Sequence, residues 1–156
     1  MESCRSRDQE DRTSVRSAKF HLDEVIWHND LAVFKSWKGQ IPWESSLGKG
    51  KLKVLRFDAD TGAGTYLIYW PEGYNPFGEH GYGGNAELLV LEGYFVSDGE
   101  TIGPGNYICT PKGLKRESLI PGPEGCTFFV SVDGPLFGED FEQELLTAGK
   151  ARRFRA

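Results

Sequence analysis

The sequence predicts an all-β fold of the sandwich or barrel kind, and three observations carry that expectation. Five apolar-rich runs of five to ten residues recur along the chain, each bounded by turn residues. Twenty glycines and eight prolines in 156 residues exceed ordinary usage and supply the turns between short elements. One run, TYLIYW at 65–70, is apolar on both faces: Tyr66, Ile68 and Trp70 line one side, Thr65, Leu67 and Tyr69 the other. A strand of that kind is covered twice, here by a second sheet and by an N-terminal segment or a partner subunit.

The elements follow in order. Residues 1–18 are polar and charged, a tail expected to be disordered or loosely attached. After Phe20 come two short apolar pieces, FHLDEVIWH and LAVFKSW, the second read as a strand. IPWESSLGKG reads as a loop. Strands are expected at Lys51–Phe57, Gly64–Trp70, Glu87–Val96, Asn106–Thr110 and Thr127–Val132. Turns are expected at DADTGAG, SDGE, GPG and PGPEG, the last at 121–125. GEDFEQELLTAGK carries acids at its start and Lys150 at its end, with Phe141 and Leu145 four apart, so it is expected as a short amphipathic helix. The basic stretch 149–156 closes the chain, leaving 19–148 as a single barrel domain that includes this helix.

Charge excludes some functions. The net charge is −5, from 18 basic and 23 acidic residues. The first twenty residues carry +1 and the last eight +4, so the stretch between them carries −10. Phosphate contacts need clustered positive charge, so no nucleic-acid partner is expected. Three cysteines without CxxC spacing argue against a disulfide scaffold and for a reducing compartment. No apolar run reaches the roughly 18–20 residues of a membrane span, and no secretory leader is visible, so no membrane partner and a cytoplasmic location are expected.

GNYICTPKGLKR and NPFGEHGYGGNAELLVLEG resemble the two motifs of the cupin superfamily, and LLVLEGYF with its surroundings resembles the ChrR-like branch. GNYICTPKGLKR keeps the spacing of the second cupin motif through Gly105, Pro111 and Gly113, but Arg116 stands where the metal-binding histidine belongs. In NPFGEHGYGGNAELLVLEG, Gly93 closes the first motif, His80 is one of its two histidines, and Gly78 occupies the other's place. Counting back from Gly93 puts Ala86, not Glu87, at the expected glutamate. The resemblance spans about residues 64–132. It implies a cupin-like double-stranded β-helix, a jelly-roll barrel, with a small molecule as partner and a homodimer as assembly. It also implies a site at the barrel mouth, in relatives commonly built around a divalent metal.

Several residues could carry chemistry. Arg116 would hold an anionic oxygen through its planar fork, and could stabilise negative charge that develops there. His80 or Glu87 would move a proton, Glu87 only if it turns inward. Tyr66, Trp70, Phe77 and Tyr82 would form an aromatic wall. Cys109 and Cys126 are read as buried small residues. The leading expectation is an atypical cupin enzyme without a metal cofactor. It would perform an isomerisation, cyclisation or elimination on a small cyclic or aromatic substrate, anionic or enolisable. Its rivals are a dioxygenase or epimerase using Fe, Mn, Ni or Zn held by His80, Glu87 and His28, and a non-catalytic binding or sensory cupin.

Overall fold

The computed structural model describes residues 18–38, 47–76 and 81–136, with side chains at 35–38 excepted. The expected C-terminal helix, the basic tail, and all of the N-terminal tail but residue 18 lie outside these residues. So do Phe77 and His80.

The described chain is dominated by one antiparallel sheet. A short 3₁₀ turn at Leu22–Glu24 leads to β1 (His28–Asn29) and α1 (Asp30–Lys38). There follow β2 (Lys51–Phe57), β3 (Gly64–Trp70), β4 (Ala86–Ser97), β5 (Glu100–Ile102), β6 (Tyr107–Thr110) and β7 (Ile120–Val132). The sheet order is β1-β2-β3-β7-β4-β5, with β6 also paired to β4. Strands β2 and β3 fall where alternation and turn residues place them, because DADTGAG closes their hairpin. Its Asp58 backbone accepts from the Gly62 N–H at 2.7 Å.

Two expectations are corrected. LAVFKSW is helical, not extended. Asn29 caps it, its Oδ1 accepting from the Leu31 N–H at 3.0 Å. Val33 and Phe34 are neighbours in sequence and both buried, which a strand with one covered face does not allow. The second correction concerns PGPEG, which lies inside β7. Phe95 pairs with Pro121 and Gly93 with Cys126, so β7 carries three extra residues at this point. The irregularity absorbs the prolines, which have no N–H for a ladder. A second irregularity sits between Val90 and Glu92, and together they switch which face of β4 points inward. Ala86, Leu88 and Val90 are buried before them, Phe95 and Ser97 after them.

Two clusters form the interior. One gathers Trp70, Tyr82, Leu88, Val90, Phe95, Phe128 and Val130. The other packs Val33 and Phe34 of α1 against Leu52 and Tyr66. Ile68 touches both clusters, so α1 continues the core of the sheet. The other face of β2–β3 is covered by the N-terminal segment, as the two-sided TYLIYW pattern requires. Lys53 there is buried, with Nζ donating to the Leu22 carbonyl at 2.8 Å and lying 5.0 Å from the Trp27 ring centroid.

Candidate functional site

A cavity opens between the two clusters. Its walls are mostly apolar: Phe34, Leu52, Ile68, Trp70, Leu88, Leu119, Phe128, Val130 and Leu136. Trp70 and Phe128 meet edge to face at 5.3 Å, which fixes both rings as rigid wall. Three polar side chains interrupt this lining: Asp30, Tyr82 and Arg116.

Arg116 reaches the cavity because two loops are tied together. The Tyr82 carbonyl accepts from the Gly113 N–H at 3.1 Å, and Asn85 Oδ1 accepts from the Lys112 N–H at 3.0 Å. Asn85 is itself held, its N–H donating to Asp133 Oδ1 at 2.7 Å. The segment 111–116 therefore hangs on 82–85, and Arg116 arrives beside Tyr82. Its Nε–H donates to the Tyr82 hydroxyl at 3.2 Å, and the guanidinium carbon lies 5.9 Å from the Tyr82 ring centroid. One Nη donates to the Glu117 carbonyl at 2.7 Å. These partners are all neutral, so the positive charge in the wall keeps its demand for an anion.

Asp30 is the residue that sequence reasoning missed. It opens α1 and is 4% exposed. Its Oδ1 accepts from the Gly48 N–H at 2.8 Å, and its Oδ2 from the Tyr74 hydroxyl at 2.6 Å. Burial and that hydrogen bond push the Tyr74 pKa well above the usual phenol range. Gly50 completes the enclosure: a Cβ there would stand 2.7 Å from Asp30 Oδ2 and 2.8 Å from the Tyr74 ring. The Asn-Asp pair before an apolar run was the available signal, being helix-start chemistry.

Trp70, Tyr82 and Arg116 line this one cavity. Three expected site residues are elsewhere. Glu87 points outward between buried Ala86 and Leu88, exposed and accepting from the Tyr107 hydroxyl at 2.8 Å. Glu87 alternates with Ala86, Leu88 and Val90, and the register shift between Val90 and Glu92 puts that even-numbered set on the inward face. Tyr66 is fully buried in the cluster under α1 and does not line the cavity; burial raises its pKa to about 12. His28 is exposed on the edge strand β1, opposite Leu52. Cys109, expected to be buried, is exposed on β6, whereas Cys126 is buried as expected.

The positions that the cupin motifs give to metal ligands fit a cation poorly here. Among the described residues they hold Ala86, a buried methyl, and Arg116, a cation; neither offers an electron pair. No group of three or more His, Cys, Asp or Glu side chains suited to a metal occurs among the described residues. No helix among them is long and apolar enough to cross a membrane.

Comparison with known proteins agrees with this architecture. The family model described as the ChrR cupin-like domain matches residues 36–135. Among solved structures, an RmlC-like cupin protein from Ralstonia eutropha JMP134 superposes with a TM-score of 0.58 at 12% identity, covering 78% of this chain and 71% of that one. A protein assigned as a dioxygenase from Nostoc punctiforme gives 0.56 at 21% identity over 73% of this chain, which spans only 35% of the Nostoc protein. A protein assigned as an acetylacetone dioxygenase from Methylibium petroleiphilum PM1 gives 0.55 at 18% identity, covering 76% and 77% of the two chains. At these identities the likeness concerns the fold. No protein of curated function matches the chain.

Proposed function

The chain belongs to the ChrR cupin-like family, and from that premise we propose that it is an atypical cupin enzyme working without a metal cofactor. Its substrate is a small cyclic or aromatic molecule whose anionic or enolisable oxygen docks on Arg116. One observation carries the reading: a guanidinium set in an otherwise largely apolar cavity wall, at the position where the cupin motif expects a metal-binding histidine.

The chemistry follows from the charge. A metal in a related barrel would draw negative charge onto a substrate oxygen as a Lewis acid. A guanidinium in a largely apolar cavity wall can stabilise the same developing charge by two directed hydrogen bonds. Isomerisations and eliminations that pass through an enolate place their negative charge on the carbonyl oxygen, which is the atom that docks on Arg116.

The test begins with binding. Benzoate, titrated calorimetrically, is expected to bind wild type and to lose at least about tenfold affinity in Arg116→Ala, as loss of a charge-assisted hydrogen bond requires. Arg116→Lys is expected to fall between them, because an ammonium lacks the fork. Unchanged binding in Arg116→Ala overturns the reading. Turnover is then read by NMR as deuterium uptake from D₂O beside the carbonyl of a cyclic ketone bearing a carboxylate. Uptake at the protein-free rate, with benzoate binding intact, would overturn the enzymatic part and leave a binding protein.

A further inference from the structure

Asp30 and Arg116 line the same cavity, yet no ion pair within 4.0 Å joins either to another charged group among the described residues. Each is held by neutral partners only. Asp30 accepts from the Tyr74 hydroxyl and the Gly48 N–H; Arg116 donates to the Tyr82 hydroxyl and the Glu117 carbonyl. A carboxylate offers about four acceptor positions, and two of Asp30's are taken by these donors. Asp30 is buried and Arg116 half-buried, and both meet only neutral dipoles, so a ligand supplying the missing complement gains binding energy at each.

We infer that the cavity selects ligands carrying two opposed features on one small ring: an acid oxygen for Arg116 and an O–H or N–H donor for Asp30. This deepens the proposed function, and it rests on Arg116 binding the oxygen. The walls between the two charges supply the rest of the specification. Trp70, Phe128 and Phe34 offer flat apolar surface, which suits a ring and disfavours a freely hydrated chain. Asp30 is rigidly presented: α1 fixes its backbone, whose N–H donates to the Gly50 carbonyl at 3.1 Å, while Tyr74 and Gly48 fix its carboxylate. A donor reaching it therefore meets an acceptor that needs no reorganisation.

The experiment compares benzoate with its 3- and 4-hydroxy and 3- and 4-aminomethyl derivatives by calorimetry on the full chain. Benzoate offers the acid alone; the others add a neutral or a charged donor at two distances. At least one derivative is expected to bind about tenfold or more tightly than benzoate. Asp30→Asn, which keeps the side chain's shape, is expected to abolish that advantage while leaving benzoate itself within about threefold. The inference is overturned if every derivative binds no tighter than benzoate, or if the advantage survives Asp30→Asn undiminished. The wild-type comparison stands whether or not that variant folds. Benzoate binding that ignores Arg116→Ala overturns instead the proposed function on which this inference depends.

Discussion

Arg116 and Asp30 differ instructively in how they could be found. Arg116 was legible because GNYICTPKGLKR keeps its glycine and proline spacing while one residue changes chemical type. Asp30 was not, because LAVF is equally good as a strand or as one face of a helix, and only the tertiary packing of Val33 with Phe34 decides. Glu87 shows the opposite risk: an acid near a motif draws notice, but strand parity overrides proximity and turns it outward. Tyr82 gives this scale its prediction. Its hydroxyl accepts the Arg116 Nε–H, so Tyr82→Phe keeps the ring and frees the guanidinium to swing. Benzoate affinity is expected to fall about threefold to tenfold, because the guanidinium loses one brace and keeps its bond to the Glu117 carbonyl. Wild-type affinity in that variant would show that Arg116 needs no brace.

At the scale of elements, β4 and β7 decide which residues reach the cavity. Their irregularities lie at Val90/Glu92 and Gly93/Phe95, and Gly93 has φ +75°. A Cβ on Gly93 would collide with the Gly125 carbonyl oxygen, so both backbone conformation and space demand glycine there. Gly93→Ala is therefore expected to cost about 2 kcal/mol or more, the range of a strained left-handed residue with a steric clash. At this chain length that lowers Tm by at least about 4 °C, measurable by calorimetry. An unshifted Tm would mean that the paired irregularities are soft. PGPEG was misread for a related reason: proline and glycine mark both turns and bulges, and only the pairing partner tells which. The strands β2 and β3 were readable because no proline interrupts them, although β2 also shifts register between Val54 and Arg56.

For the whole molecule, the barrel class was legible because turn punctuation and two-sided burial are properties of the pattern itself. The site was only half legible, because it joins α1 to the loop after β6, and no spacing in the chain encodes that meeting. Burial of the core also sets an alkaline limit. Folding raises Cys126 from 9.0 to about 12 and Tyr66 from 10.0 to about 12, both through burial that disfavours the charged form. Raised pKa values mean that the folded state holds these protons longer. Their contribution is complete below about pH 9 and is lost progressively as pH climbs toward 12. Tm is expected to fall from pH 9 upward, and the fall should begin later in Cys126→Ala. An onset unchanged in that variant would remove the thiol from this account.

The most direct measurement is a crystal structure of the benzoate complex. The account predicts carboxylate oxygens within about 3 Å of the Arg116 guanidinium nitrogens, with the ring packed against the wall that Trp70 and Phe128 form. Benzoate bound elsewhere, with Arg116 turned into bulk solvent and a metal ion held in the barrel, would contradict it.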